Sequence, residues 1–249
     1  MITEVGGFSE KGKREVNQDR ILNLTDGEKG LFLVSDGMGG HSEGERASQT
    51  ISTLYEDWWN TYDRHSSNNS FAQDVEKLRK ILESANSKIW EETMTGICGA
   101  TIVLLWVKKN QYALFWSGDS RCYTVARKRI FPEITQLTAD DVWQNSSEAR
   151  KKMRVQTNNA EYGKLVRAVG VNSDSSFYTV RTGIIKSRTT FLLCSDGVYK
   201  YMNPKDFSRT VLTFHRNGLQ KELFGTVKKN VYSGSRSDNV SLVYAVVNK

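Results

Sequence analysis

The chain has 249 residues and a formal charge of +7, with 38% hydrophobic residues including 6 Trp, 10 Tyr and 10 Phe, which supports a sizeable core and excludes a disordered polymer. Only 2 Pro and no low-complexity linker are present, so one large domain spanning 1–249 is expected. The longest clean apolar run, "IVLLWV" at 102–107, is far short of the roughly 20 residues a membrane-crossing helix needs, and "MITEVGGFSE" has no signal-like core, so a cytoplasmic, non-membrane protein is expected.

In chain order, strand-like runs fall at about 2–9, 20–24 and 30–35. A helix over about 43–62 and a second over 71–93 follow. In the second, Phe71, Val75, Leu78, Leu82, Ala85 and Ile89 recur at spacings of three and four and form one apolar face. "HSSNNS" at 65–70 supplies the break between the two helices. Strands return at about 98–107, 111–117, 120–126 and 133–137. The polar stretch 140–163 reads as a surface excursion or mobile subdomain. Strands at about 177–183, 189–195 and 240–247 and helices at 204–214 and 218–231 complete the chain. Strict strand–helix alternation is absent, which favours largely antiparallel sheets with helices packed outside over a parallel doubly wound sheet.

Cys98, Cys122 and Cys194 are odd in number, widely spaced and set in strand-like runs. They read as reduced core thiols rather than a disulfide frame or zinc site. Basic clusters at 11–14, 127–129 and 150–154 suit either nucleic acid or a small anion such as phosphate. No nucleic-acid motif accompanies them, so a nucleic-acid partner is not expected. "GFSEKGKR" at 7–14 satisfies the spacing of a phosphate-binding P-loop, but Arg14 stands where Ser or Thr is needed and a strand, not a helix, follows.

Two lines repeat: "LFLVSDG" at 31–37 and "FLLCSDG" at 191–197. Each ends an apolar strand with Ser-Asp-Gly. Five Asp residues share this grammar: Asp19, Asp36, Asp119, Asp196 and Asp238 all border apolar strand runs. One such residue is an ordinary turn former. Five that converged in a partly dry site would repel one another and need cations. The donors are all oxygen, which suits hard ions such as Mg²⁺ or Mn²⁺ better than zinc. Two ions about 3.5–4 Å apart would activate a bridging water for phosphoryl transfer. Arg14, five residues before Asp19, is placed to grip a phosphate through its planar fork.

The order "RxxNQD" (14–19), "DGMGGHxxGE" (36–45), "GAT" (99–101), "SGDSR" (117–121), "LTxD" (137–140), "LVRAVG" (165–170), "SDG" (195–197) and "SDNVS" (237–241) resembles the metal-dependent protein phosphatases, the PPM family of type 2C Ser/Thr phosphatases, in their compact bacterial form. The resemblance runs from about residue 6 to 247. It implies an α+β fold, a four-layer αββα sandwich with two central antiparallel β-sheets flanked by helix pairs. It also implies two Mn²⁺ or Mg²⁺ ions and hydrolysis of phosphoserine or phosphothreonine by a metal-activated water without a phosphoenzyme.

By the same resemblance Asp36 would bridge the two ions and Gly37 would lend its carbonyl. Asp196 and Asp238 would hold one ion and Asp19 the other, partly through water. Asp119 with Asp196 would match a third, weaker ion site, and Arg14 would bind the substrate phosphate. Arg14, Asp36 and Asp196 are the expected catalytic set, and 140–163 would be a flap beside the site. Phosphorylated proteins and a cognate Ser/Thr kinase are the implied partners, and the chain is expected to be a monomer. Met38 stands where many eukaryotic members have a His proposed as general acid, and His41 reads as structural. Gln18 replaces a common Glu, and Lys200 stands where some members carry another metal-binding Asp. Two alternatives remain: a phosphatase of nucleotides or other small phosphoesters, and a non-catalytic pseudophosphatase that binds phosphoproteins. Retention of all five Asp residues argues against the second.

Overall fold

A computed structural model describes residues 1–39, 43–62, 69–93, 98–128, 131–146, 164–171, 175–217, 220–233 and 238–249. The strands are β1 (Ile2–Glu10), β2 (Asp19–Thr25), β3 (Lys29–Met38), β4 (Gly99–Ala100), β5 (Ile102–Lys108), β6 (Gln111–Ser117), β7 (Arg121–Lys128), β8 (Phe131–Gln136), β9 (Thr179–Ile184), β10 (Thr189–Cys194) and β11 (Val240–Val247). The helices are α1 (Glu43–Thr61), α2 (Phe71–Thr93), α3 (Asp196–Tyr199), α4 (Pro204–Asn217) and α5 (Gln220–Tyr232).

The strands form two antiparallel sheets. One has the order β1-β11-β10-β7-β8; the other is β2-β3-β5-β6-β9, with β4 added beside β3. Successive strand residues point to opposite faces, and both faces are covered. On β3, Leu31 and Leu33 pack with Ile51, Tyr55, Leu78 and Leu82 of α1 and α2. Phe32 and Val34 pack instead with Phe191, Leu193 and Val243 of the other sheet. The outer face of that other sheet gives Leu192, Leu242 and Tyr244 to a third cluster with Phe207, Val211, Phe214, Leu223 and Val227 of α4 and α5. Three apolar layers therefore separate four layers of secondary structure. This is why β3, β5, β10 and β11 read as continuous apolar runs rather than alternating ones. None of the three cysteines forms a disulfide and all are buried, with Cys122 and Cys194 inside these layers, as expected of core thiols. Burial pushes the Cys194 thiol up to about 12, so it stays protonated.

Three local features depart from the sequence expectation. The single strand expected over 98–107 is split at Thr101 into β4 and β5. The strand expected at 177–183 starts at Thr179, after a 3₁₀ turn at Ser175–Phe177. Asp196 opens the one-turn helix α3, too short to carry a periodic signal. The P-loop spacing at 7–14 falls on β1 and a turn, with β2 next and no helix. Of the expected flap, 147–163 lies outside the described residues, as does His41. The two ends of that stretch are tied together: Val142 pairs with Leu165, and the Trp143 N–H donates to the Lys164 carbonyl at 2.8 Å. Among the described residues no helix is long and apolar enough to cross a membrane.

Candidate metal centre

The register of β2 against β3 places Asp19 directly opposite Asp36. Opposed residues in an antiparallel pair share a face, and like charges there repel. Asp36 lies within β3, not past its end, because β4 continues the pairing at Gly37 and Met38. The break at Thr101 serves this geometry: its Oγ1 accepts from the Asp36 N–H at 3.0 Å, and its N–H donates to the Asp36 carbonyl at 2.8 Å.

The second Ser-Asp-Gly line arrives from the other sheet. Asp196 follows β10 and is the first residue of α3. Ser195 is buried and donates to Asp19 Oδ2 at 2.9 Å while accepting from the Ser241 N–H at 3.1 Å. That hydroxyl joins β10, β11 and β2 at the base of the site. Both lines need glycine for one reason. A Cβ on Gly37 would stand 2.1 Å from the Gly44 carbonyl oxygen, and one on Gly197 would stand 1.9 Å from that of Asn239. Backbone from another element crosses each position, and only a residue without a side chain leaves room.

A cleft of about 320 Å³ is lined by Arg14, Asp36, Gly37, Asp119, Asp196, Lys200 and Asp238, among others. Asp19 is 1% exposed, beside Asp36. Asp119 sits in the turn between β6 and β7, and Asp238 lies two residues before β11. Arg14 donates to Asp238 Oδ2 at 2.8 Å. Lys200 donates to Asp196 Oδ2 at 2.6 Å and to Asp119 Oδ2 at 3.0 Å. All seven residues singled out from the sequence are thus brought to one place.

The electrostatics are those of carboxylates crowded together without enough positive charge. Asp36 is pushed well above the usual carboxylate range, first by burial and then by Asp19, Asp196, Asp119 and Asp238. Burial is also the main reason that Asp19 is raised to about 6. Asp196 is raised by burial and by Asp119, against the pull of Lys200. Two carboxylate oxygens, Asp19 Oδ1 and Asp196 Oδ1, are buried with no hydrogen-bond partner among the described residues. A buried anion left unpaired is unfavourable by several kcal/mol, so these atoms and the raised carboxylates fit hard cations. Asp19, Asp36, Asp196, Asp238 and the Gly37 carbonyl could hold them. Among the described residues, no three His, Cys, Asp or Glu side chains stand close enough together to hold an ion as they are placed; Ser195, Arg14 and Lys200 bond to Asp19, Asp238 and Asp196 respectively.

A family model described as protein phosphatase 2C matches residues 7–228. The chain belongs to the protein phosphatase 2C family. It is 29% identical to a protein of Listeria welshimeri called serine/threonine phosphatase stp, over 86% of this chain and 83% of that one. The solved structure of Serine/threonine phosphatase Stp1 from Staphylococcus aureus superposes with a TM-score of 0.80 at 20% identity, covering 100% of this chain and 96% of that one. That of the catalytic domain of serine/threonine protein phosphatase PstP, in complex with two manganese ions, superposes with a TM-score of 0.74 at 22% identity, covering 100% and 99%. At these identities the two structures speak to the fold.

This protein phosphatase 2C site also relies on residues that motif reading passed over, although each lies in or beside a quoted motif. Asn239 is the clearest. Its Nδ2 donates to the Lys11 and Val16 carbonyls at 3.0 and 2.9 Å, and its Oδ1 accepts from the Gln18 N–H at 2.9 Å. It therefore pins the 11–18 loop that carries Arg14. Asp141 does similar work on the Asp119 turn: it accepts from the Gly118 N–H at 3.2 Å and is paired with Arg167. Asn239→Ala leaves three backbone groups without their partner, at about 1 kcal/mol each. The expected result is a loss of about 3 kcal/mol in urea unfolding, with KM for a phosphopeptide raised more than kcat is lowered. Unchanged stability and KM would show that the loop holds its shape without Asn239.

Proposed function

We propose that this protein phosphatase 2C hydrolyses phosphoserine and phosphothreonine in proteins, using two Mn²⁺ or Mg²⁺ ions. The observation that carries this reading is the pair of buried, unpartnered carboxylate oxygens on Asp19 and Asp196, next to Asp36, in a cleft that Arg14 also lines. Asp36 would serve both ions and Gly37 would lend its carbonyl; Asp196 and Asp238 would hold one ion, and Asp19 the other. When bound, the pair supplies acidity to a water and positive charge to the phosphoryl oxygens.

The chain's own residues do the rest. Ser195 fixes one oxygen of Asp19, leaving the other for the pair. The Thr101 break holds the Asp36 backbone from both sides and sets where its carboxylate stands. Arg14 lies at the cleft with its side chain 59% exposed, close to Asp238, and reaches an entering phosphate from there. The two carboxylates carried by Ser-Asp-Gly come from different sheets, so the packing of one sheet on the other sets their separation. A cognate Ser/Thr kinase, a cytoplasmic location, a monomeric state and a flap at 140–163 belong to the same reading.

The direct test is hydrolysis of a phosphothreonine peptide and of nucleotides with Mn²⁺, Mg²⁺ or chelator, with Asp196→Asn as control. Peptide turnover that needs metal and exceeds turnover of nucleotides supports it. Equal turnover after exhaustive metal removal, or a preference for nucleotides, would overturn it. For Arg14, replacement by Ala should raise KM about 10- to 100-fold with a smaller change in kcat, because a bidentate charge-assisted contact to phosphate is lost. Lys at this position should rescue poorly, since it is a point charge without the planar fork. An unchanged KM returns Arg14 to a role in restraining Asp238 alone.

A further inference from the structure

We propose that the Lys200 ammonium is a built-in cation at the position between Asp119 and Asp196 that the family resemblance assigns to a third metal ion, so that this centre works with two ions and not three. The proposal rests on the two-ion reading of the same site. Lys200 Nζ lies 2.6 Å from Asp196 Oδ2 and 3.0 Å from Asp119 Oδ2. Each contact takes one oxygen of a carboxylate that a third ion would have to share. Mg²⁺ needs such oxygens at about 2.0–2.1 Å in a nearly octahedral shell. An ion placed between the two carboxylates would stand against an ammonium of like sign, with one oxygen of each already engaged.

Local geometry holds the three groups in this arrangement. Lys200 is four residues after Asp196 at the end of α3, so the two side chains lie on one helix face. Its own N–H donates to the Asp196 carbonyl at 2.9 Å and closes the turn. The Tyr199 hydroxyl donates to the Asp119 carbonyl at 2.9 Å and ties the β6–β7 turn to the same helix. The Arg121 guanidinium covers the Tyr199 ring, 3.5 Å from its centroid. Two carboxylates on anchored backbone thus meet at one lysine.

The division of labour on Asp196 follows. Its Oδ2 serves Lys200, while Oδ1 is buried, has no partner among the described residues and is left for the metal pair. Lys200 acts as a positioning residue: it orients Asp196 and neutralises Asp119, and it needs no contact with substrate. A tethered cation is always present, so activity does not wait on a weakly bound ion.

The test is the number of Mn²⁺ ions bound per chain, read by equilibrium dialysis with metal analysis as Mn²⁺ is raised into the millimolar range. The wild-type chain should bind two and show no third, weaker phase. Asp119→Asn, which does not touch the pair, should also bind two. Lys200→Ala should expose both oxygens and gain a third, weaker ion; Lys200→Arg, which keeps the charge, should stay at two. With the pair saturated, Lys200→Ala should turn over phosphopeptide at least tenfold more slowly and regain part of that rate as Mn²⁺ rises. Three ions on the wild type that fall to two in Asp119→Asn would overturn the proposal, even if Lys200→Ala does not fold. A Lys200→Ala protein that folds and binds two ions would overturn it as well. Fewer than two ions on the wild type would instead sink the metal pair itself, and the role of Lys200 with it.

Discussion

Asp36→Asn should lower phosphopeptide turnover at least a thousandfold while raising the melting temperature of the metal-free protein. The two effects have one cause. Asp36 faces Asp19 across β2 and β3, and its carboxyl is held well above the ordinary range by burial and by four neighbouring carboxylates. In the folded chain without metal that charge is unfavourable, and a neutral Asn of nearly the same shape removes it. Asp36 meets Thr101 only through its own backbone N–H and carbonyl, so those hydrogen bonds survive. The same charge is what would bridge two ions. Its loss leaves the pair without its common ligand, and a thousandfold drop corresponds to about 4 kcal/mol of barrier. Thermal melts in chelator alongside assays in saturating Mn²⁺ separate the alternatives. A lowered melting temperature, or turnover within tenfold of wild type, would show that Asp36 is a structural residue.

Without metal, stability should fall as the pH rises from about 4 through 6, and Mn²⁺ should restore it at pH 7 to 8. Asp19 has an ordinary value of 3.8 and is raised to about 6 in the folded chain, chiefly by burial. Between those values the folded chain holds a proton that the unfolded chain has released. The contribution to stability is fully present below 3.8 and is lost as the pH passes through 6. For one group this amounts to about 3 kcal/mol. Asp36 and Asp196 are displaced in the same direction, so they add to the decline. Cations that bind the folded carboxylates and not the unfolded chain reverse it, by about 2.7 kcal/mol at a hundred times Kd. Urea unfolding at pH 5, 6, 7 and 8, with chelator or Mn²⁺ and with Asp36→Asn for comparison, measures both effects. A profile that is level in chelator, or identical in the mutant, would mean that these carboxylates do not share one site.

Much of the fold was legible because its signals are local. The i, i+3, i+4 apolar face of Phe71 to Ile89 specifies α2, and the observed bounds, Phe71–Thr93, are the expected ones. The runs at 31–34, 191–194 and 242–247 are apolar throughout, and each proves to be a strand buried on both faces. The split at Thr101 was not legible, because apolar residues on both sides hide a break made by hydrogen bonds to Asp36, 65 residues earlier. Helix α3 was missed because one turn has no period. Asn239 and Ser195 were passed over because their partners are backbone groups and a carboxylate far away in the chain.

By itself, the sequence determined which residues could carry the chemistry. Five Asp residues at strand borders, all-oxygen donors, an Arg five residues before the first of them and the order of eight short motifs point to a hard-cation phosphatase, whatever the detailed packing. Only the tertiary structure decided how those residues meet. Asp36 is delivered by one sheet and Asp196 by the other, and the Phe32, Val34, Phe191 and Leu193 layer sets their separation. Lys200 looked in sequence like one missing ligand, yet in space it is the cation that joins Asp119 to Asp196. The physical reason is range. Periodicity and turn chemistry act over a few residues and are written along the chain. The charge balance of the cleft is a sum over side chains up to 224 positions apart, Arg14 and Asp238 among them, and it exists only once the sheets have packed.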